Sequence, residues 1–130
     1  MKQDEVTSVS RNDFLILQLA QSLYNKHGND STKFEYIRQK VREMGRLLMS
    51  LRSKCSLFSF EDAVKPNNFY KVIEAVRDVA GYDEEKHCYH IPSLALKLGH
   101  SLKKIGSIIL CRAIAAEDDQ SIRAFHTTVH

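Results

Sequence analysis

Between Ser31 and Lys54 the apolar residues Phe34, Ile37, Val41, Met44, Leu48 and Leu51 recur at intervals of three and four. That spacing places them on one face of a helix and predicts that the face is buried. The same period organises three other segments. Asn12 or Asp13 can cap a helix whose apolar face holds Leu15, Ile16, Leu19, Ala20, Leu23 and Tyr24, and Gly28 after Lys26 and His27 is a stop signal. The break at Asn29 and Asp30 is short, Ser31 is the expected cap of the long helix, and the two helices are expected to be antiparallel neighbours.

Past Lys54, Ser59 is placed to cap a short turn from Phe60 to Val64 that Pro66 closes. Asn67 or Asn68 then opens a helix in which Phe69, Val72, Ile73, Val76, Val79 and Ala80 repeat at helical spacing, with Gly81 as its end. Pro92 suits the first turn of a final long helix built on Ala95, Leu98, Leu102, Ile105 and Ile109, with Leu94, Leu96, Ile108 and Leu110 widening its apolar surface. No segment alternates apolar and polar residues as a half-buried strand would. The expected fold is all-α, a bundle of four main helices plus one short helix. Gly45 inside the long helix leaves two alternatives, close approach of a neighbouring backbone or simple tolerance.

The pattern divides the chain. Residues 1–10 are polar without a sustained period and are expected to form a flexible arm or linker. Residues 11–117 carry the helical domain. Residues 118–130 turn acidic and then irregular, and a frayed tail is expected there.

A chain of 130 residues, 43% hydrophobic and 27% charged, has the size and composition of one packed domain. A formal charge of +3 permits nucleic-acid binding without requiring it, so the placement of the charges has to decide. The three cysteines, Cys55, Cys88 and Cys111, show no CxxC pairing and follow no secretory leader, so an intracellular, reduced protein is expected. Apolar runs such as Ile108 to Cys111 are far too short to span a membrane, and no membrane partner is expected.

Arg38, Arg42 and Arg46 recur every four residues on a face of the long helix turned away from the apolar stripe, with Lys40, Arg52 and Lys54 nearby. Guanidinium groups on a rigid element can bind phosphate oxygens bidentately. A solvated face is the other reading, because Glu35 and Glu43 stand at pairing distance along the helix. The last helix carries a second basic set, Lys97, His100, Lys103, Lys104 and Arg112, which strengthens the first only if it faces the same way.

Signs of chemistry beyond charge are weak. His87, Cys88 and His90 include metal-binding types but lack the separated second pair of a tetrahedral zinc site, so neither metal nor cofactor is expected. Neither Cys55 nor Ser93 sits in a nucleophile motif, and no enzyme is expected.

The strings QDEVTSVSRND, YIRQKVREMGRLL, FEDAVKPNNF, EAVRDVAGYDEE and PSLALKLGHSLKKI resemble the helical region of animal proteins related to Crypton-type tyrosine-recombinase transposons. The resemblance runs from about Met1 to Asp118 and implies a core-binding-like helical domain without the catalytic domain. It implies a non-catalytic, nuclear DNA-binding role, with Arg38, Arg42, Arg46, Lys97, Lys103 and Lys104 touching the phosphate backbone of duplex DNA. The rival expectations are a helical protein-interaction or self-association module, or a folded transposon remnant without retained activity.

Overall fold

Every segment with the helical apolar period is helical in the computed structural model, which describes the backbone of residues 2–28 and 30–129 and the side chains of residues 5–28 and 30–116. The helices are α1 (Lys2–Asn12), α2 (Phe14–His27), α3 (Phe34–Cys55), α4 (Phe60–Ala63), α5 (Phe69–Ala80) and α6 (Pro92–Val129). The protein is an all-α bundle.

α3 is the hub. It packs against α1, α2, α5 and α6, and Met44, Leu47, Leu48 and Leu51 in its second half are completely buried. Leu15, Ile16 and Leu19 of α2, Phe60 of α4, Ala75 of α5 and Leu98 and Ile105 of α6 complete the same core. Burying such side chains contributes roughly 1.5–3 kcal/mol each, which is why the apolar period decides the fold. The stripe loses burial at its start, since Phe34 is 47% exposed and stacks on Tyr24 with ring centres 6.2 Å apart. On α5, Phe69 is likewise exposed, while Val72 and Ala80 are buried.

The caps show how local chemistry sets the boundaries. Asp13 caps α2 by accepting from the Ile16 N–H at 3.0 Å, and Gly28 ends it with a φ of 57°. Ser31 is not the cap of α3. Asp30 accepts from the Thr32 N–H and opens a short 3-10 turn, Ser31–Lys33, from which α3 continues. Ser59 caps α4 as expected from its position, accepting from the Asp62 N–H at 3.3 Å. Pro66 begins a second 3-10 turn, and Asn68 donates to the Asp62 carbonyl rather than capping α5. Gly81 closes α5 in the left-handed region at φ 70°.

Three segments depart from the sequence expectation. From Lys2 on, the expected arm at residues 1–10 lies within α1, because Val6 and Ser10 are buried against α3 and Val9 is packed on the core, while Met1 lies outside the described residues. The loop after Gly81 contains a minimal antiparallel hairpin that pairs Tyr82 with Tyr89 and Asp83 with Cys88. Asp83 shapes its turn by accepting from the N–H groups of Glu85 and Lys86. The backbone of α6 stays helical through Val129, where an irregular tail was expected, although the side chains beyond residue 116 lie outside the described residues.

Candidate functional site

The arrangement of basic groups starts from one glycine. Gly45 lies where α1 crosses α3, and a Cβ there would collide with the Ser10 hydroxyl and stand 3.1 Å from the Val6 carbonyl oxygen. Of the two alternatives for this glycine, close approach is the one observed. Ser10 Oγ also donates to the Val41 carbonyl at 3.3 Å, which fixes the register of α1 on α3.

That register brings Arg11 beside Arg38 and Arg42. Together with the hydroxyl residues Thr7 and Ser10, the three arginines line a cleft of about 460 Å³ that has no carboxylate in its wall among the described residues. Arg38 pairs with Glu35 at 3.5 Å, but both side chains are more than two-thirds exposed, so the pair is worth little and can be exchanged for another anion. Arg42 is half-buried and makes no ion pair among the described residues. Arg46, one turn further on, faces a different cleft that it shares with Glu5, Arg52 and Asp78, where the signs are mixed.

The glutamates that could have neutralised the row are divided. Glu35 pairs with Arg38, whereas Glu43 is turned into the bundle, where it is 5% exposed and lies 3.7 Å from the Lys40 ammonium. Its Oε1 is buried without a hydrogen bond. A buried carboxylate held by one long ion pair contributes little net stability.

The second basic set does not join the first. Lys97 faces Tyr36, Gln39, Lys40 and Glu43 of α3, and Lys104 opens onto Lys26, Tyr36 and Lys40. Tyr36 and Arg38 are two residues apart, about 200° around the helix, so these lysines and the arginine cleft occupy different sides of α3. Lys103 is exposed and rotated about 100° from Lys104 on α6.

Other cations serve the fold. Arg52 donates from Nε and one terminal nitrogen to the Phe58 carbonyl at 3.0 and 2.9 Å, bracing the link from α3 to α4. Arg112 reaches Glu61 at 3.7 Å and lies 4.8 Å over the Phe14 ring. Lys54 donates to Asp78 Oδ1 at 2.7 Å while Ser50 donates to Oδ2 at 2.9 Å, tying α3 to α5. The hydrogen bond from Lys54 is the main reason the Asp78 carboxyl titrates below its usual range; partial burial opposes it and Ser50 assists.

Among the described residues no group of three or more His, Cys, Asp or Glu is placed to hold a metal ion. Cys88 stands in the second hairpin strand next to His87, whose backbone is left-handed at φ 53°. Nor is any helix among the described residues long and apolar enough to cross a membrane.

Sequence reasoning put Arg38 and Arg42 on one face but did not place Arg11 beside them, because it is far from them in the chain and arrives only through the packing of α1. The available signal was the trio Val6, Val9 and Ser10 at helical spacing, set against a glycine in the middle of α3. In comparisons with protein-family models, curated proteins and solved structures, nothing matched the chain.

Proposed function

We propose that this domain binds duplex DNA without catalysing a reaction on it, acting in the nucleus as the core-binding-like part of a protein derived from a tyrosine-recombinase transposon. The observation that carries the reading is the cleft that gathers Arg11, Arg38 and Arg42 with no carboxylate in its wall among the described residues. Three guanidinium groups on two packed helices can meet adjacent phosphate oxygens, and Thr7 and Ser10 add hydroxyl residues beside them. Such contacts position a protein on the backbone and carry no base sequence. Arg46, Lys97, Lys103 and Lys104 lie outside this cleft and would meet DNA only along other sides of the bundle.

The test is fluorescence anisotropy with a duplex over a range of salt concentrations. Each phosphate contact contributes about 0.9 to the slope of log affinity against log salt. The triple variant Arg11→Ala, Arg38→Ala, Arg42→Ala is expected to lose most of the affinity and to flatten the slope. Binding that is absent in the parent chain, insensitive to salt, or unchanged in the triple variant overturns the proposal.

A second reading, self-association, is favoured by the outer side of α6. Leu96, Leu110 and Ile114 are each at least half exposed there, and nothing among the described residues stands within 4 Å of the Cβ positions of Gly99 and Gly106. Light scattering distinguishes it: a dimer lost on Leu110→Glu and indifferent to the arginines supports this reading, and a monomer rejects it.

A further inference from the structure

On the side of α3 opposite the arginine cleft, α2, α3 and α6 bring Lys26, Lys40, His100 and Lys104 around one small pocket of about 190 Å³, with the Tyr36 ring and Ser101 in its wall. Among the described residues no carboxylate lines it. Lys40 is the anchor. Its side chain is only 12% exposed, and its ammonium lies 5.5 Å from the centre of the Tyr36 ring. Lys33 approaches the same ring at 5.8 Å, so the positive charge around Tyr36 extends beyond the pocket wall.

Two of the neighbouring carboxylates are committed elsewhere. Glu35 pairs with Arg38, and Asp30 accepts from both the N–H and the hydroxyl of Thr32. Glu43 offers Lys40 one long contact at 3.7 Å, too far for a hydrogen bond. Lys26 and Lys104 form no ion pair among the described residues. Three elements thus bring Lys26, Lys40 and Lys104 to one concavity, in which only Lys40, through its long contact with Glu43, has a carboxylate partner among the described residues.

The dimensions restrict the anion. The pocket is smaller than the 300–1,000 Å³ typical of drug-sized ligands, so it suits a compact group with many acceptor oxygens. Lysines and a histidine are donor residues in its wall, together with the buried Ser101. We propose that this pocket is a binding site for a compact phosphate anion, of the size of phosphate or pyrophosphate, separate from the arginine cleft. Its occupant is either a free small phosphate or a phosphate presented by a nucleic acid.

Titration calorimetry of the full chain with sodium pyrophosphate, at constant ionic strength set by chloride, tests the site. Saturable one-site binding is expected, weakened at least tenfold by the double variant Lys40→Met, Lys104→Met, which keeps the apolar stems, and unchanged by the Arg11, Arg38, Arg42 triple alanine variant. Amide and ring resonances of the parent chain provide a readout that does not depend on a variant folding: pyrophosphate should shift Tyr36, Lys40, His100 and Ser101. Competition then separates the sources. Pyrophosphate binding undisturbed by saturating duplex supports a free phosphate ligand, and displacement by duplex in the triple arginine variant supports a nucleic-acid phosphate at this site. No saturable binding, shifts centred on Arg11, Arg38 and Arg42 instead, or equal loss of binding in both variants overturns the proposal.

Discussion

The Asp13 carboxylate accepts the backbone N–H of Phe60 at 3.0 Å, although the two residues are 47 positions apart, while its other oxygen accepts from Ile16. One buried side chain, 3% exposed, therefore satisfies an orphan N–H at the start of α2 and another at the start of α4, and it seats Phe60 in the core. Replacing it by alanine removes both acceptors. Asp13→Ala is expected to cost about 2–4 kcal/mol, the sum of a lost cap and a buried unsatisfied donor. Asp13→Asn, which keeps one acceptor, should fall between that variant and the parent chain in urea denaturation. A loss within the error of the measurement would contradict the double role.

Gly45→Ala sets two effects against each other. Alanine improves helix propensity by about 1 kcal/mol. Overpacking against Val6 and Ser10 costs about 1–3 kcal/mol, and the obstructing Val6 atom is a backbone oxygen that cannot rotate aside. The net expectation is a less stable protein in which hydrogen exchange quickens first in residues 5–12. A stabilised variant with α1 still protected would show that the close approach is not needed.

The Lys54–Asp78 pair gives an acid-limb signature. Because the hydrogen bond from Lys54 lowers the Asp78 pKa from its ordinary 3.8, the unfolded chain takes up the proton first as pH falls. The stabilisation is present above that ordinary value and is lost as pH drops through the folded-state value. Lys54 is shifted the opposite way from its ordinary 10.5, chiefly by the hydrogen bond to Asp78, so its share is present below that value and is lost as pH rises through the raised one. Asp78→Asn should therefore be less stable than the parent at neutral pH and converge with it at low pH. Parallel stability curves down to the acid limit would contradict this. The pair is substantially exposed, and the effect should shrink in high salt.

The helices α2, α3, α5 and α6 were legible because their apolar positions keep the 3.6-residue period and because Gly28, Gly81 and Pro92 mark boundaries through their own backbone chemistry, as Ser59 marks the start of α4 through its hydroxyl. α1 was not legible, since only Val6 and Val9 are apolar among its neighbours and Ser10 is buried through a tertiary hydrogen bond to α3. The hairpin has two residues in each strand, too few to alternate. Half of the arginine cleft was readable from the row on α3. Arg11 was not, because its place depends on the fit of α1 over Gly45, and the separation of Lys104 from that row depends on where α6 crosses the bundle.

Arg11 is the residue that separates a built phosphate cleft from a merely basic helix face, so the single substitution Arg11→Ala is the most direct test. Measured by duplex-DNA anisotropy across a salt series, it is expected to weaken binding and reduce the salt slope by about 0.9, the contribution of one phosphate contact, while the circular dichroism of the protein stays unchanged. An affinity and slope equal to those of the parent chain would contradict the claim that α1 and α3 together form the DNA-contacting surface.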